Sequence, residues 1–474
     1  MAFETKDTIA AISTPIGYGG IGVVRVSGAE AKKIAQKIFR CFENSRPEGE
    51  KHFSRAGNTP FLSRRMYYGQ VLSPEKDQIL DEALLVYMAG PFSYTTEDVI
   101  EIQAHAGAVT LKAILEAVLF CGARLAEPGE FTRRAFTGGR IDLSQAEAVI
   151  DVIHAKTETA LKLVSRQLEG AVGETARRIK NKTLELYARV EADIEFHEEM
   201  LGEHEQADRY SNDAAEIEKL LERLLESYRK GHMLREGMRM ILVGRVNVGK
   251  SSLMNRFLEK ERAIVTEFPG TTRDSIEETL DVFGLPVVLI DTAGWRKTRD
   301  PVERIGIDRT KKLTEESDLI LFMVDAGKGI TPEDYDVYER IQKKDKILVV
   351  NKNDLLKNKN RFTVPPEWNF FDIRHTSVKY DKGIDDLKET LYRFGTEGTG
   401  ITESQIVPNI RQKNIFEEAH KAIGNAINAI EEGMPPEIFV IDLQVAMDAL
   451  DQITGESVKT EVLDTVFSRF CIGK

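Results

Sequence analysis

Residues 238–257 read MRMILVGRVNVGKSSLMNRF, a stretch that sets a phosphate-binding turn between an apolar strand and a helix. Residues 244–251 match the P-loop spacing G-x-x-x-x-G-K-[ST] in the strand-to-helix context that a P-loop requires. In such a loop, backbone N–H groups converge on phosphate oxygens, Lys250 neutralises their charge and the Ser251 hydroxyl can ligate Mg²⁺. A glycine-rich turn without a ligand is the alternative, and the motifs downstream argue against it. The stretch predicts a nucleotide-binding α/β domain.

Near-continuous apolar runs extend this domain on both sides of the P-loop. They alternate with helical segments, which is typical of a parallel sheet covered on both faces, and they lie at residues 240–243, 287–290, 319–324 and 347–350.

Three motifs that follow these strands select the nucleotide. Residues 291–294, Asp-Thr-Ala-Gly, put a carboxylate where it can hold the Mg²⁺ shell and a glycine amide where it can face the γ-phosphate. In residues 351–354, Asn-Lys-Asn-Asp, the Asp354 carboxylate can accept from N1–H and the 2-amino group of guanine, donors that adenine lacks. Residues 377–379, Ser-Val-Lys, can close over the base. Together with residues 270–274 as switch I, these motifs resemble those of translation-factor-class GTPases and predict GTP as the substrate.

The regions on either side of the α/β domain have different patterns of predicted strands and helices. Short β-like runs with Gly and Pro punctuation, followed by one helical run, predict an α+β domain before about residue 118. Ser144 and Glu147 predict a capping box that opens a long helical stretch running beyond Phe196. The region after residue 395 returns to helix, so we expect the α/β domain to be inserted into a helical domain. The predicted domains are residues 1–118, 119–237, 238–394 and 395–474.

Composition narrows the class of protein. The chain has 474 residues, with 65 Lys and Arg against 77 Asp and Glu, a formal net charge of −12, so no global basic field attracts nucleic acid. Its cysteines form no CxxC pair, which argues against a disulfide framework or a zinc knuckle and favours a reducing compartment. The sequence shows no secretory signal pattern and no apolar run of about 18 residues, so we expect a cytoplasmic protein without a membrane anchor.

Hydrolysis of GTP needs a group that positions water, and the residue after Asp-Thr-Ala-Gly is Trp295 rather than the glutamine of Ras-like GTPases. Asn247 and residues 266–272 offer the oxygen donors of a monovalent-cation site, whose charge can replace an arginine finger. Glu303 is a candidate for positioning the water, although the residue alone is more typical of a solvated surface acid.

The whole chain resembles the MnmE (TrmE) family of tRNA-modification GTPases. Besides the nucleotide motifs and Arg25, the resemblance rests on the strings DTIAA at 7–11, GGIG at 19–22, GEFTRRAF at 129–136, DLSQAEA at 142–148 and CIGK at 471–474. It implies an N-terminal α+β folate-binding domain, a discontinuous all-α helical domain and an inserted Ras-like P-loop G domain. It also implies a homodimer joined through the N-terminal domains.

The resemblance further implies a complex with the FAD-dependent flavoprotein MnmG (GidA). Together the two proteins would add a carboxymethylaminomethyl or aminomethyl group to C5 of the wobble uridine, U34, of certain tRNAs. The implied cofactors are GTP, Mg²⁺, K⁺ and 5,10-methylene- or 5-formyl-tetrahydrofolate. A regulatory or ribosome-assembly GTPase switch without modification chemistry is the alternative, and folate binding separates the two.

The residues of this sequence that match the family's sites follow from the same resemblance. The GTP-binding set is Asn247, Val248, Gly249, Lys250, Ser251, Ser252, Thr266, Glu267, Phe268, Pro269, Gly270, Thr271, Thr272, Asp291, Thr292, Ala293, Gly294, Asn351, Lys352, Asp354, Ser377, Val378 and Lys379. Ser251 and Thr272 would hold Mg²⁺, and K⁺ would bind Asn247, Thr266, Phe268 and Thr271. Glu303 would be catalytic. The folate contacts would be Arg25, Glu101, Arg140 and Lys474.

Three other features invite functional interpretations. Residues 17–22 fit G-x-G-x-x-G, but a β-like run follows them instead of a helix, so we expect no dinucleotide fold. Cys471 is a candidate nucleophile for the modification chemistry, and an incidental thiol near the folate site is an equal alternative. His105 and His154 have no partners at metal-ligand spacing, and we interpret both as structural.

Overall fold

The computed structural model describes residues 7–15, 17, 19–43, 52–53, 60–76, 78–196, 203–261, 277–290, 314–356, 362–396 and 405–474. The chain divides into two compact units. The first unit combines Met1–Ile150 with Asp451–Lys474, and the second unit is Asp151–Leu450. The predicted combination of α+β, helical and α/β structure is confirmed. The four predicted domain boundaries stay a prediction.

The secondary structure of the described residues runs as follows. The strands are β1 (Ile9–Ile12), β2 (Ile21–Ser27), β3 (Phe39–Glu43), β4 (His52–Phe53), β5 (Met66–Leu72), β6 (Ile79–Met88), β7 (Val99–His105), β8 (Arg124–Leu125), β9 (Met238–Val243), β10 (Glu277–Val282), β11 (Leu285–Ile290), β12 (Leu319–Asp325), β13 (Lys346–Asn351) and β14 (Asp372–His375). The helices are α1 (Ala31–Ile38), α2 (Ala108–Phe120), α3 (Glu130–Thr137), α4 (Leu143–His154), α5 (Glu158–Leu168), α6 (Ala171–Phe196), α7 (Glu203–Glu236), α8 (Lys250–Glu261), α9 (Pro332–Ile341), α10 (Ile384–Gly395), α11 (Ile410–Glu431), α12 (Pro436–Thr454) and α13 (Thr460–Phe467).

The first unit is built on a mostly antiparallel sheet. Within the described residues its strand order is β4-β3-β5-β6-β7-β2-β1-β8, and β1 and β8 pair in parallel. Along β2, buried and partly exposed side chains alternate, as expected for a strand with one face on a core. Helices α1 and α2 supply Ile34 and Ile114 to a core that also holds Val24, Leu85 and Ile102.

Residues 451–474 complete this unit. Val466, Phe467 and Phe470 pack with Leu143 in a small apolar core. Beyond α13, Ile472 forms a β-bridge with Pro128. The region that contains the CIGK string is therefore anchored to the segment around α3.

The helical stretch after residue 143 begins with a different capping box from the predicted one. The predicted capping box of Ser144 and Glu147 is wrong, because both residues lie inside α4. The box is formed by Asp142, which accepts from Gln145 N–H, and Gln145, whose Oε1 accepts from Asp142 N–H, both at 3.0 Å. An Asp at the N-cap with Gln three residues later offers the same reciprocal bonds two residues earlier.

Between residues 143 and 196 the predicted helical stretch consists of three helices, α4, α5 and α6. Thr157 caps the start of α5, where its Oγ1 accepts from Ala160 N–H at 3.2 Å. Between α5 and α6, Gly170 has a φ of 98°, a backbone conformation that ends a helix and that glycine adopts without strain.

The second unit joins a helical part to a second sheet. Among the described residues the sheet order is β10-β11-β9-β12-β13-β14, parallel except for β10 against β11. Every residue of β12 and β13 is buried, which explains the uninterrupted apolar runs in the sequence. Strands β9, β12, β13 and β14 are parallel, so their carboxyl ends lie at the same edge of the sheet. The P-loop follows β9, Asn351 ends β13 and Ser377 follows β14, which brings all three to this edge.

A buried ionic network fixes α3 in the first unit. The guanidinium of Arg134, only 4% exposed, donates to Asp7, Glu97 and Glu130 at 2.8–3.1 Å. Arg124 also donates to Glu130, at 2.7 Å. Burial alone would raise the pKa of Glu130, but the hydrogen bonds from Arg124, Glu127 N–H and Arg134 together lower the pKa below its ordinary value. Both ionic partners are therefore held in their charged forms.

We expect Arg134→Ala to destabilise the first unit by about 3 kcal/mol, because it removes a buried guanidinium that joins the buried Glu130 to the partly buried Glu97. Amide hydrogen exchange along β1 and α3 of the full chain measures the change. The matched control is Arg133→Ala, which removes a half-exposed pair with Asp464 and should cost less than about 1 kcal/mol. Equal effects of the two variants would contradict a stabilising role for the buried network.

Candidate functional site

A cavity of about 650 Å³ lies at the edge of the second unit's sheet. Seven of its lining residues belong to the predicted GTP-binding set: Gly249, Ser252, Asn351, Lys352, Asp354, Val378 and Lys379. Asn255, Arg256, Glu259 and Leu355 also line it and were missed, because they fall outside the sequence motifs. We call this the sheet-edge cavity.

The P-loop reaches the sheet-edge cavity through backbone conformations that favour glycine. Gly244 has a φ of 146°, and a Cβ there would lie 2.3 Å from the Met323 carbonyl oxygen. Gly249 has a φ of 106°, and a Cβ there would lie 2.3 Å from Nδ2 of Asn351. Asn247 is also left-handed, with a φ of 64°, a conformation that Asn tolerates better than most residues. The glycines are needed for both conformation and space.

Asn351 joins two segments of the cavity wall, the P-loop and residues 376–378. Its Nδ2 donates to the Val248 carbonyl oxygen of the P-loop at 2.8 Å. Its Oδ1 accepts from Thr376 Oγ1 and from Val378 N–H, both at 3.2 Å. The side chain is buried, so these bonds face no competition from bulk water. Asn351 therefore fixes the wall of the cavity.

Asp354 and Lys352 present the other polar groups of this motif. The Asp354 carboxylate, on an exposed residue, accepts from Ser377 Oγ at 2.5 Å, which orients it. Lys352 Nζ donates to the Asn247 carbonyl oxygen at 2.7 Å and to Asp325 Oδ2 at 2.8 Å. Burial alone would raise the pKa of Asp325, but the bond from Lys352 brings the pKa below its ordinary value. The ion pair with Asp325 therefore holds the Lys352 amine against the Asn247 carbonyl oxygen of the P-loop.

Lys250 stands at the first residue of α8 and folds back over the P-loop. Its Nζ donates to the carbonyl oxygens of Gly244 at 2.6 Å and Arg245 at 2.8 Å. Burial lowers the pKa of Lys250, because desolvation disfavours the charged amine. A phosphate oxygen beside this amine would favour its charged form. Ser251, the next residue, is exposed at the same helix N-terminus.

Several predicted residues lie outside the described residues. They are Thr266, Glu267, Phe268, Pro269, Gly270, Thr271, Thr272, Asp291, Thr292, Ala293, Gly294 and Glu303. Of the predicted K⁺ ligands, the structure describes Asn247, and of the predicted Mg²⁺ ligands it describes Ser251.

The first unit brings charged and aromatic groups together on β2 and β7. Arg25 stands opposite Glu101 in the strand register, and its Nη2 lies 2.8 Å from Glu101 Oε1. The Arg25 guanidinium is also 5.8 Å from the Tyr94 ring centre. Arg140 donates to the Tyr94 carbonyl oxygen at 3.3 Å, and its guanidinium lies 4.9 Å from the same ring centre. Tyr94 was missed because no sequence motif contains it.

The backbone of the CIGK string reaches the same place. The Gly473 carbonyl oxygen accepts from Arg25 Nη1 at 3.3 Å and from Ser13 Oγ at 3.0 Å. The Lys474 carbonyl oxygen accepts from Phe131 N–H at 3.2 Å. We call Arg25, Tyr94, Glu101 and Arg140, with the backbone of Gly473 and Lys474, the arginine cluster. It contains all four residues predicted to contact folate.

Three further sequence features are the glycine-rich string at 17–22, Cys471 and His105. Residue Gly22 lies in β2, so a strand follows the G-x-G-x-x-G string, as expected. Cys471 is exposed, and Nδ1 of His105 lies 2.8 Å from Asp81. Over the part of the chain that the structure describes, no cluster of His, Cys, Asp and Glu could hold a metal ion. Every helix within the described ranges is too short or too polar to cross a membrane.

We expect Gly249→Ala to weaken GTP binding at least tenfold, or about 1.4 kcal/mol, because the new Cβ displaces Asn351. The matched control is Gly122→Ala, which has a similarly positive φ of 115° but no atom within 4 Å of the new Cβ. Both variants carry backbone strain, but only in Gly249→Ala does the new Cβ clash with Asn351. Titration with a fluorescent GTP analogue measures both, and equal affinities would contradict the role given to Asn351.

Comparison with known proteins finds family models that match the N-terminal region and the rest of the chain. Residues 8–140 match the family model of the GTP-binding protein TrmE N-terminus, and residues 143–471 match that of the MnmE helical domain. The tRNA modification GTPase MnmE of Alkaliphilus metalliredigens is 40% identical over 469 residues, which are 99% of each chain. That of Desulforamulus reducens is 42% identical over 470 residues, again 99% of each chain.

Among solved structures, a variant of Aquifex aeolicus Era bound to GDP.AlF4- is 27% identical to this chain. The match covers 39% of this chain and 66% of the Era chain, with a TM-score of 0.28, which is too low to bear on the fold. The family-model matches and the relatives that align over the whole chain are sufficient to assign the family. The chain belongs to the MnmE family of tRNA modification GTPases.

Proposed function

We propose that this GTPase acts with the FAD-dependent flavoprotein MnmG to modify tRNA. The reaction adds a carboxymethylaminomethyl or aminomethyl group to C5 of the wobble uridine, U34, with a one-carbon unit from 5,10-methylene- or 5-formyl-tetrahydrofolate. The protein works as a cytoplasmic homodimer. GTP hydrolysis to GDP and phosphate, with Mg²⁺ and stimulated by K⁺, accompanies the modification.

The observation that carries this proposal is the arginine cluster. A tetrahydrofolate has a pterin whose flat pyrimidine ring carries N–H donors along one edge, and a glutamate tail with carboxylates. The Glu101 carboxylate can accept from the pterin edge, and the Tyr94 ring packs against the Arg25 and Arg140 guanidinium groups and so helps to position them. Arg25 and Arg140 present guanidinium groups, which bind carboxylates in two-point contacts. The donors and acceptors of the cluster therefore fit a folate.

The sheet-edge cavity supports the GTP half of the proposal. Asp354 would accept from the guanine N1–H and 2-amino groups, while Val378 and Lys379 would cover the base. Lys250 would leave the P-loop carbonyls for the β- and γ-phosphates. Ser251 would hold Mg²⁺ together with Thr272.

The proposed hydrolytic groups complete this site. Asn247, Thr266, Phe268 and Thr271 would hold K⁺, which supplies positive charge to the transition state. Glu303 would position the attacking water. For the exposed Cys471, nucleophile and incidental thiol both stay open.

Nucleosides of total tRNA test the proposal directly. We expect cells that lack the gene to lose a C5-aminomethyl-type uridine, measured by mass spectrometry, and the intact gene to restore it. The Arg25→Ala gene should fail to restore it while the purified variant still hydrolyses GTP, because the arginine cluster and the sheet-edge cavity lie in different units. An unchanged nucleoside profile in the deleted cells would favour the regulatory or ribosome-assembly switch instead.

The catalytic residue has its own test. We expect Glu303→Ala to leave GTP affinity near normal and to remove most of the turnover, because the residue acts on water rather than on the nucleotide. Glu339→Ala, which removes an exposed acid of α9, is the matched control and should keep both. A binding titration beside a phosphate-release assay measures the two properties, and loss of binding in Glu303→Ala would refute the assignment.

A further inference from the structure

Helix α8 connects two sides of the sheet-edge cavity. It begins at Lys250, beside the proposed phosphate site, and its later residue Arg256 also lines the cavity. Nε of Arg256 lies 3.6 Å from Oδ1 of Asp381. Asp381 follows the 3-10 turn Val378–Tyr380, whose first residues line the base side of the cavity. An ion pair thus joins the phosphate-side helix to the base side.

Residues 377–382, which we call the base loop, are attached to other segments in two places. Val378 N–H and Ser377 Oγ are bonded to Asn351 and Asp354. The loop closes on itself where Ser377 N–H donates to the Lys382 carbonyl oxygen at 2.9 Å. The turn opposite these bonds is outermost: the Tyr380 side chain is 55% exposed. Arg256 reaches the loop at this outer turn, through Asp381.

We propose that Arg256 is a positioning residue that holds the base loop over the guanine through Asp381 and slows release of the nucleotide. The proposal rests on the proposed nucleotide site. Because α8 also carries Lys250, the pair links the group that meets the phosphates to the loop that covers the base. Neither residue falls within a nucleotide motif, so the sequence alone did not indicate the pair.

The exposure of the pair limits its effect. The side chains of Arg256 and Asp381 are 29% and 34% exposed, so solvent screens their attraction. Glu259, one turn further along α8, lies 3.5 Å from Arg256 Nη1, so two carboxylates share the guanidinium. From the energies typical of such partly exposed pairs, we expect loss of the pair to speed release about two- to fivefold.

Stopped-flow release of methylanthraniloyl-GDP from the full-length protein tests the proposal. We expect Arg256→Met and Asp381→Asn each to raise the dissociation rate constant about two- to fivefold, with the association rate constant unchanged. Asn suits position 381 because its φ of 57° is left-handed, a conformation that Asn adopts readily. The double variant should release no faster than either single variant, because both remove the same interaction.

Two further measurements separate positioning from general stability. Arg256→Lys keeps the charge and should release nucleotide close to the wild-type rate, and the gap between Arg256→Met and wild type should shrink at high salt. Arg340→Gln, an exposed change on α9, is the matched control and should leave release unchanged. Thermal unfolding of the nucleotide-free variants should match the wild type.

The outcomes are distinguishable. Wild-type release rates in both single variants, or additive effects in the double variant, would overturn the role of the pair while leaving the nucleotide site intact. A wild-type protein that does not bind the fluorescent GDP would overturn the proposed nucleotide site and this proposal together. If Arg256→Met does not fold, Asp381→Asn alone decides, since it changes one atom of an exposed side chain.

Discussion

The nucleotide side of this molecule depends on one buried amide. Asn351 ends β13 and binds the P-loop through Val248 and the base loop through Val378. These segments are far apart in sequence, and each follows a different strand. A side chain with both a donor and an acceptor at one terminus can join two backbones that offer opposite groups. Replacing it would remove the hydrogen-bond partner of buried polar groups in two segments, so this one side chain ties the two parts of the cavity wall together.

Around this amide, the structure concentrates backbone conformations that most residues avoid. Gly244, Gly249, Asn247, Lys352 and Asp381 all have positive φ, and all lie in or next to the sheet-edge cavity. Positive φ costs free energy at non-glycine positions, so such residues persist where surrounding bonds hold them. The ion pair of Lys352 with Asp325 and that of Asp381 with Arg256 are two such bonds. Lys352 and Asp381 thus combine a positive φ with an ion pair that holds the residue in place.

Sequence patterns predicted the parts of the fold in which one physical demand dominates. The buried parallel strands must be apolar along their whole length, so the run at 319–324 located β12 to within a residue. The start of α4 was harder to predict, because two nearby residues, Asp142 and Ser144, both suit an N-cap. Only the structure shows that Asp142 is the one used. Tyr94 could not be predicted, because its position beside Arg25 depends on strand pairing between segments remote in sequence.

The division of the first unit has a consequence for biosynthesis. Strands β1–β8 are translated first, but residues 451–474, which complete the unit, emerge only after the whole of 151–450. Arg25 therefore spends that interval without the Gly473 carbonyl oxygen as its acceptor. The second unit is continuous in sequence and can fold as it emerges. The order of synthesis therefore lets the sheet-edge cavity form before the last residues of the arginine cluster have been made.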